Sequence, residues 1–405
     1  MNIPTTQAKR VVSGMRPTGS LHLGHYHGVI KNWVELQLTH DCFFFVADWH
    51  ALTTHYDETE NIEEHTMQMI IDWLACGISP SNAKLFIQSQ VPEHAELQLL
   101  LSMITPLSWL ERVPSYKDQQ VKLADKDLMT HGFLGYPLLQ AADILIYKAN
   151  YVPVGEDQVA HIELSREIAR RFNHIYGSAS DFEEKVKDAI QRLGTKNAEI
   201  YLKLRRNYQE KGDDEARDTA IALVDSQQNI SYGNRQRLYG YLDGNSKLIL
   251  PEPQALLTEA TKIPGTDGQK MSKSYGNIIA LREEPEVIEK KLKTMPTDPA
   301  RIRRKDPGEP TKCPVWEWHQ VYSDEKTQQW VQKGCRSADI GCLECKKPLI
   351  ASVQTELEPI RQNSKEYEDD KATVKKIITE ANEAVRDIAN DTLEEVKHAI
   401  KLMHR

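Results

Sequence analysis

Apolar runs and amphipathic stretches alternate along the first part of the chain. Short runs rich in β-branched and aromatic residues predict buried strands. The stretches between them have apolar residues at helical spacing and predict helices. Strands that alternate with helices indicate an α/β fold with a parallel sheet, in which ligands bind at the carboxyl ends of the strands. The predicted strands are 11–15, 42–48, 83–88 and 151–154, and the predicted helices are 61–77, 93–104, 107–113, 137–147 and 161–172.

This alternation ends near residue 180. Charged stretches between 181 and 224 carry apolar residues at helical spacing, and no strand-like run follows until 248–250. Beyond 282 the pattern is mainly helical. The predicted division is an α/β domain at 1–179, a helical insertion at 180–247, a return to the α/β domain at 248–282 and an all-α domain at 283–405.

One predicted helix carries polar residues on an otherwise apolar surface. If this helix begins at Pro137, the polar residues follow one another at spacings of 4, 3 and 4 and form one stripe. A carboxylate buried in such a stripe needs partners, since an unpaired buried charge is costly. The stripe therefore lines a pocket or faces solvent, and its two tyrosines favour a pocket. Its members are Tyr136, Gln140, Asp143 and Tyr147.

The stretch 11–27, VVSGMRPTGSLHLGHYH, combines a strand, a loop and the start of a helix. Pro, Gly and small hydroxyl residues make RPTGS a loop. His22 and His25 share one face of the first helical turn, and Gly24 between them lets a ligand approach the backbone. Free N–H groups and the helix dipole favour anions there, so the stretch predicts a phosphate site. Two surface histidines are the simpler alternative.

Composition and charge narrow the class of protein. A chain of 405 residues can bury a large core and predicts two or three structural units. The net charge of −8 argues against non-specific nucleic-acid binding by the whole surface, and leaves 203–206 and 301–305 as local basic runs. No apolar run is long enough to span a bilayer, and the first residues lack the apolar core of a signal peptide. We therefore expect a cytoplasmic protein that does not enter a membrane.

Six cysteines fall into two groups. Cys42 and Cys76 stand singly in apolar runs and are expected to pack in the core. The other four follow the spacing C-x21-C-x6-C-x2-C, which in a cytosolic protein suggests a metal centre more than disulfides. Such thiolates hold zinc or an iron–sulfur centre, and four unrelated thiols are the alternative. The four are Cys313, Cys335, Cys342 and Cys345.

Two motifs far apart in the chain carry a resemblance to one enzyme class. HLGH at 22–25 and KMSKS at 270–274 together resemble the signatures of class I aminoacyl-tRNA synthetases. GMRPTGSLHLGHY, YPLLQAADILIY and VPVGEDQ followed by HIEL resemble the bacterial tryptophanyl-tRNA synthetases in particular. The similarity covers about 10–180 and 250–405, and the insertion resembles a long-insert subgroup. It implies a Rossmann-type catalytic domain, a helical anticodon-binding domain and a homodimer.

The resemblance also implies the substrates and the residues that bind them. The expected partners are L-tryptophan, tRNA(Trp) and ATP with Mg²⁺. Tyr136 and Gln158 would hold the ammonium group of tryptophan. Asp143 would accept from the indole N–H, in a pocket that includes Val12 and Gln140. The implied ATP contacts are Arg16, Pro17, Thr18, Gly24, His25, Gly155, Glu156, Asp157, Ile263, Lys270, Met271, Ser272, Lys273 and Ser274.

The implied reaction has two steps. The tryptophan carboxylate attacks the α-phosphorus of ATP and expels pyrophosphate, and the terminal ribose of the tRNA then takes the acyl group. Because no covalent enzyme intermediate is needed, the protein acts by positioning and charge stabilisation. His22 and His25 would donate to phosphate oxygens. Lys270 and Lys273 would neutralise charge on the leaving pyrophosphate, from a loop that closes over ATP.

The chain departs from better-known bacterial members of this family at three positions. Arg16 and Gln140 stand where those members have Gln and Met, and no second lysine follows Lys117 near Gln119. Arg16 is therefore the candidate to replace a pyrophosphate contact from that position.

The cysteine spacing resembles that of tryptophanyl-tRNA synthetases with a [4Fe–4S] cluster beside the anticodon-binding surface, in which the first gap is about one residue longer. Structural zinc more often uses two close cysteine pairs, and only Cys342 and Cys345 form one here. A structural iron–sulfur cluster is therefore favoured over zinc.

Three alternative functions follow from the same motifs. A tyrosyl-tRNA synthetase would carry a tyrosine on the first strand, where Val12 suits an indole better. A small nucleotidylyltransferase with an HxGH site would lack the KMSKS loop and the long helical C-terminal region. A non-catalytic tRNA-binding paralogue would be expected to have lost the signature histidines and lysines, which this chain keeps.

Overall fold

A five-stranded sheet organises the fold. Its strands are β1 (Arg10–Met15), β2 (Asp41–Val46), β3 (Ala83–Ile87), β4 (Tyr151–Val154) and β5 (Gln254–Leu257), in the order β3-β2-β1-β4-β5. β1 pairs in parallel with β2, and β2 pairs in parallel with β3. Gly14 lies opposite Phe45, and a Cβ at Gly14 would lie 2.5 Å from the Phe45 ring. The predicted Rossmann-type α/β class is confirmed.

The structure is a computed structural model that describes residues 8–113, 130–177, 182–244, 248–257 and 263–403. The chain divides into two units. The first contains 1–90, 153–156 and 256–384, and the second contains 91–152, 157–255 and 385–405. Lys117 and Gln119, where we noted the missing lysine, lie outside the described residues.

Helices account for most of the remaining secondary structure. A short first helix continues through a π-helical turn, Tyr26–Ile30, into the second. The described helices are α1 (Leu23–His25), α2 (Lys31–Leu36), α3 (Asp48–Leu52), α4 (Ile62–Ala75), α5 (Glu93–Ser102), α6 (Leu107–Glu111), α7 (His131–Leu145), α8 (Val159–Tyr176), α9 (Phe182–Gln191), α10 (Thr195–Lys211), α11 (Asp214–Asp225), α12 (Tyr232–Leu242), α13 (Pro285–Thr294), α14 (Pro314–Tyr322), α15 (Glu325–Arg336), α16 (Cys342–Asp369) and α17 (Lys371–Ala399).

Tryptophans fix two of these helices to the sheet of the first unit. Trp33 of α2 stacks on Phe44 of β2, with 4.2 Å between ring centroids, and Trp73 of α4 meets Trp33 edge-on at 5.3 Å. All three rings are fully buried. Truncating such a side chain to alanine costs about 3–5 kcal/mol, so these contacts set the positions of α2 and α4 firmly.

The polar-stripe helix begins earlier than predicted. α7 starts at His131 rather than at Pro137, because the Thr130 side chain caps it by accepting from the N–H of Phe133. Pro137 lies inside the helix. One missing N–H is tolerated there, since the helix is otherwise apolar and most of its residues are buried.

The predicted strand at 248–250 is wrong. Ile249 and Leu250 are buried, but their N–H groups donate to the side-chain oxygen of Asn173, at 2.9 and 3.1 Å. Asn173 also donates to the Leu250 carbonyl at 2.7 Å. A buried amide thus takes the place of a neighbouring strand for this apolar run, and the strand itself follows two prolines later, as β5.

Helices α9 to α12 have an apolar core of their own within the second unit. Tyr201 is fully buried there, and its hydroxyl donates to the Leu238 carbonyl at 2.5 Å. Arg205, in the basic run 203–206, lies over the Tyr241 ring at 3.8 Å rather than pointing away into solvent. The buried core residues are Ala189, Leu193, Tyr201, Ala220, Val224, Ile230, Leu238 and Leu242.

The region beyond residue 282 is mainly helical, as predicted. α16 and α17 are its longest helices, and α16 packs against α4 in the first unit. In the parts of the chain that the structure describes, no helix combines the length and apolar character needed to cross a bilayer.

Candidate active site

The HLGH segment follows β1 and is held by backbone pairing. The N–H of Leu281 donates to the Leu21 carbonyl at 3.0 Å, and the N–H of Leu23 donates to the Ile279 carbonyl at 3.1 Å. His22 and His25 lie side by side, with 3.8 Å between ring centroids. A Cβ at Gly24 would lie 3.0 Å from the His22 ring, so the backbone between the two imidazoles can be approached only because this residue is glycine.

Both signature histidines are held in the neutral form. Burial, with Lys273 nearby, lowers the pKa of His22 to about 4. Burial, His22 and Lys273 together lower the pKa of His25 to about 3. At neutral pH the two imidazoles can therefore donate N–H groups to an anionic ligand but carry no charge of their own.

The KMSKS loop is closed by one buried asparagine. The Asn277 side chain accepts from the N–H of Ser272 at 2.8 Å, and it donates to Asp267 at 2.7 Å and to the Lys270 carbonyl at 3.1 Å. Two glycines with positive φ, Gly268 at 84° and Gly276 at 64°, flank the lysines. Their chain reversals and the Asn277 contacts fix the ends of the loop, whereas Ser274 near its tip is exposed.

The two lysines of the loop differ in their surroundings. Lys273 donates to the Thr18 carbonyl at 2.9 Å, so it lies on the RPTGS loop beside HLGH. Burial lowers the pKa of Lys273 to about 8, against the opposing effect of Asp72. Lys270 is exposed. The sequence assigned both lysines the same role, but only Lys273 is already in contact with the phosphate-site segment.

The other predicted nucleotide residues lie in the first unit, except Asp157, which belongs to the second. Arg16 and Thr18 are exposed, and the Arg16 guanidinium lies 3.5 Å from the Thr54 hydroxyl. Met271 faces Gly24. Pro17 and Ile263 are buried, Ser272 is half-buried, and Gly155 and Glu156 follow β4 directly; Asp157 comes next, and its side chain lies outside the described residues.

Three buried side chains of the second unit form one hydrogen-bonded group. His94 Nδ1 lies 2.6 Å from Asp143 Oδ1, and His94 Nε2 lies 2.6 Å from the Tyr147 hydroxyl. All three residues are at most 1% exposed. A His94 tautomer with the proton on Nδ1 satisfies both contacts, because it donates to the carboxylate and accepts from the phenol. This part of the stripe is buried rather than facing solvent.

The other residues predicted to bind the substrate tryptophan lie elsewhere in the second unit or on β1. Tyr136 is buried and lies 5.6 Å from the His161 ring, centroid to centroid. Gln140 and Gln158 are half-buried. Val12 belongs to β1 in the first unit, and its apolar side chain is 1% exposed.

The four clustered cysteines line one small cavity in the first unit. Cys313 precedes α14, Cys335 lies in α15, and Cys342 and Cys345 lie in the first turn of α16. The cavity measures about 20 Å³. Arg301, from the basic run 301–305, is buried beside it, with its Nη1 3.7 Å from the Cys335 sulfur.

All four cysteines are free thiols in this structure. Burial and the neighbouring cysteines together raise the pKa of Cys345 to about 12. Among the described residues, no three His, Cys, Asp or Glu side chains are placed to hold a single metal ion. The predicted metal is therefore not confirmed by the geometry.

Comparison with known proteins decides the family. The family described as tRNA synthetases class I (W and Y) matches residues 5–193 and 224–358. A tryptophan–tRNA ligase of Ralstonia nicotianae is 61% identical over 396 residues, which cover 98% of this chain and 99% of the relative. One from Thermotoga maritima is 45% identical, covering 97% of this chain and 99% of that relative. The chain belongs to the bacterial tryptophanyl-tRNA synthetases.

A solved structure of a tryptophanyl-tRNA synthetase supports the same assignment. The enzyme from Campylobacter jejuni, complexed with ADP and tryptophan, superposes with a TM-score of 0.72 at 27% identity, covering 97% of this chain and 99% of that chain. The family match omits 194–223, which is most of α10 and α11. Part of the insertion is therefore an addition to what the class I family shares.

Sequence reasoning missed several residues that hold the synthetase site together. Asp72 was visible as a lone carboxylate in the apolar run IIDWLA, and its burial followed from that position. His94 and Asn277 gave no local signal. Neither did the group around Glu356, in which His27 and Tyr322 both contact the carboxylate, because its members come from α14, α16 and the π-helical turn.

Proposed function

We propose that this chain is a cytoplasmic tryptophan–tRNA ligase that works in two steps. A carboxylate oxygen of L-tryptophan attacks the α-phosphorus of ATP, so that a carboxyl–phosphate bond forms and the bond to pyrophosphate breaks. A terminal ribose hydroxyl of tRNA(Trp) then attacks the carbonyl carbon and releases AMP. The observation that supports this most directly is the contact of Lys273 with the RPTGS loop beside His22 and His25.

The first unit supplies the groups that act on the triphosphate. Neutral His22 and His25 donate hydrogen bonds to phosphate oxygens, and Gly24 leaves room for the nucleotide against the backbone. Lys273, joined by Lys270 when ATP is present, neutralises charge on the departing pyrophosphate. Mg²⁺ enters with ATP and supplies further positive charge to the phosphates. The remaining predicted contacts, Arg16, Pro17, Thr18, Gly155, Glu156, Asp157, Ile263, Met271, Ser272 and Ser274, complete the proposed nucleotide site.

The second unit supplies the amino-acid specificity in this proposal. Asp143 is held in one orientation by His94, which suits it to accept from an indole N–H. Tyr136 and Gln158 hold the ammonium group, and Gln140 completes the wall. A tyrosine substrate would place a hydroxyl, both donor and acceptor, where Val12 offers only an apolar surface.

ATP–pyrophosphate exchange tests the ligase directly. The purified chain is assayed with each of the twenty amino acids, and exchange is expected with tryptophan only. Exchange with tyrosine would support the tyrosine enzyme, and exchange with no amino acid would reject a ligase. Charging of tRNA(Trp) with labelled tryptophan then tests the second step.

The four cysteines are proposed to hold a [4Fe–4S] cluster. Four thiols line one cavity, and buried Arg301 and Lys346 beside it balance the negative charge of a thiolate centre. One zinc ion would hold its thiolates at about 2.3 Å from the metal, close together. In a [4Fe–4S] cluster each of four cysteine thiolates would bind one iron, so the number of thiols at this cavity matches the number a cluster needs.

The colour and metal content of the protein test the cluster. Protein purified without oxygen should be brown and contain about four irons per chain, and Cys342→Ser should lose both. Cys76→Ser, a free cysteine elsewhere in the first unit, is the matched control and should keep them. One zinc per chain would establish the alternative, and no metal would reject both.

The exposed remainder of the basic run is proposed to meet the tRNA anticodon arm. Residues 302–305 are exposed, and Ile302 is 87% exposed. Ile302 directly follows Arg301, which lines the cysteine cavity. Arg303→Glu should lower tRNA charging and leave pyrophosphate exchange unchanged. Lys376→Glu, an exposed lysine on α17, is the control. Equal effects of both changes on charging would reject this surface.

A homodimer is also proposed, through apolar side chains of the second unit. Leu99, Met103 and Leu107 are 53%, 70% and 64% exposed within one short stretch. Such a patch on a single chain marks an interaction surface. Met103→Glu should shift the protein from dimer to monomer in sedimentation, whereas Leu38→Glu, at a leucine 71% exposed in the first unit, should not. We keep the four predicted domains, 1–179, 180–247, 248–282 and 283–405, as part of the proposal.

A further inference from the structure

Asp72 is a buried carboxylate that the proposed mechanism does not use. It lies near the end of α4 and is 1% exposed. Its Oδ2 accepts from the N–H of Leu21 at 3.4 Å. Its Oδ1 lies 2.7 Å from Nε of Arg282, an ion-pair contact rather than an aligned hydrogen bond. A buried carboxylate without partners is costly, so these two contacts are what allow it to stay charged.

Both partners belong to the segments that carry the class I signatures. Leu21 directly precedes His22, and Arg282 follows the short segment 279–281 that comes after the KMSKS loop. These two segments pair through their backbones, since Leu281 donates to Leu21 and Leu23 donates to Ile279. Asp72 therefore binds both segments at the point where they meet.

The charges around Asp72 come from three parts of the first unit. Arg282 faces it from the segment after KMSKS, Lys273 from the loop itself, and Glu368 of α16 pairs with the other side of Arg282. Burial raises the pKa of Asp72 to about 6, although Arg282 and the Leu21 N–H act to lower it. His22 and His25 have pKa values of about 4 and 3, so they take up protons only well below the pKa of Asp72.

We propose that Asp72 is a positioning residue, which holds the HLGH and KMSKS segments in register through Leu21 and Arg282. It touches no substrate and acts on His22 and Lys273 through the backbone. This inference rests on the proposed ligase function. When Asp72 loses its charge, the Arg282 contact is lost and the two signature segments keep their backbone pairing without this side-chain contact, which lowers the rate of adenylate formation.

Asp72→Asn is the first test, because asparagine keeps the size and can still accept from Leu21 while it loses the charge. The kcat of pyrophosphate exchange should fall about 10- to 100-fold, as expected when a charged hydrogen-bond partner is lost. The KM for tryptophan should change little. In the wild type kcat should fall between pH 7 and pH 5, and in Asp72→Asn this acid limb should be absent. Titration of the substrates is common to both proteins.

Arg282→Gln is the second test, and it separates positioning from loss of folding. Without Arg282 the charge of Asp72 no longer acts on the segment after KMSKS, so kcat should already be low at pH 7 and the acid limb should be lost, as in Asp72→Asn. A purely structural role would lower the amount of active enzyme and leave the limb in place. Glu368 is the partner on the other side of Arg282, and its side chain is 44% exposed. Glu368→Gln should therefore change kcat less than about threefold.

The possible outcomes distinguish the two proposals. If the wild type shows no tryptophan-dependent exchange, the ligase function fails and this inference with it. If the wild type exchanges and Asp72→Asn keeps both its kcat and its acid limb, only the positioning role is overturned. An acid limb that persists in Arg282→Gln overturns it as well, and this measurement needs only a small active fraction of folded protein.

Discussion

Replacing Glu356 by glutamine should destabilise the protein by an amount that depends on pH in a defined way. The Glu356 carboxylate lies 2.8 Å from His27 Nε2, 2.8 Å from Lys31 Nζ and 2.7 Å from the Tyr322 hydroxyl. Burial acts to raise the pKa of Glu356, but its contacts with His27, Lys31 and Tyr322 outweigh burial and lower the pKa to about 2. Its side chain is 20% exposed, so solvent screens these contacts only in part.

The size and sign of the effect follow from that shift. The pKa falls from 4.5 to about 2 on folding, and the ionised form is therefore favoured by about 3 kcal/mol in the folded state. Because the folded pKa is lowered, this stability is fully present above pH 4.5 and is lost as the pH falls towards 2. At neutral pH Glu356→Gln should lower Tm by roughly 4–6 °C.

Thermal unfolding of the wild type and of Glu356→Gln, from pH 7 down to pH 3, measures the difference in Tm between them. The gap in Tm should stay constant to about pH 4.5 and then narrow. Glu358→Gln is the matched control, because it removes the same charge from the same helix at a side chain 43% exposed. A gap that is absent at pH 7, or that does not narrow on acidification, would refute the assignment of these contacts to an ionised carboxylate.

Three further predictions concern the proposed site. Asp143→Ala removes the partner of His94 and the acceptor for the indole, so tryptophan kcat/KM should fall about 5- to 150-fold with little change in the KM for ATP; full activity would remove this helix from the pocket. Lys273→Ala and Lys270→Ala should lower kcat far more than they raise the KM for tryptophan, and the wild-type rate should fall as the pH rises through about 8; a pure KM effect would indicate a binding loop. Replacing 180–247 by a short linker should keep pyrophosphate exchange, since these helices have their own core. Loss of exchange in a folded deletion variant would contradict this prediction.

Local sequence patterns predicted the elements whose contacts are local. The runs that became β2 and β3 are apolar apart from Asp41 and Lys84, because both faces of a parallel sheet are covered. HLGH and KMSKS were recognised because each is continuous in the chain. Their turn chemistry, with Gly24 between the histidines and Gly276 after the lysines, is written in adjacent residues.

The two errors have different causes. Pro137 predicted a helix start because proline favours the first turn, but the nearby Thr130 cap placed the start six residues earlier. The apolar run 248–250 predicted a strand, but Asn173 supplies its hydrogen bonds from far along the chain. The Thr130 cap is local and could be found in the sequence, whereas no short window contains both Asn173 and its partners.

The same limitation applies to the way the helical C-terminal region reaches the synthetase site. α14 begins directly after Cys313 and ends at Tyr322, and α16 begins at Cys342 and contains Glu356 about 16 Å beyond Cys345. Both side chains contact His27, which lies two residues after His25 in the π-helical turn. Two helices that start at the cysteine cavity therefore both contact the π-helical turn that follows the HLGH segment. A domain boundary drawn from hydrophobic patterns at 283 separates groups that the hydrogen bonds of the first unit join.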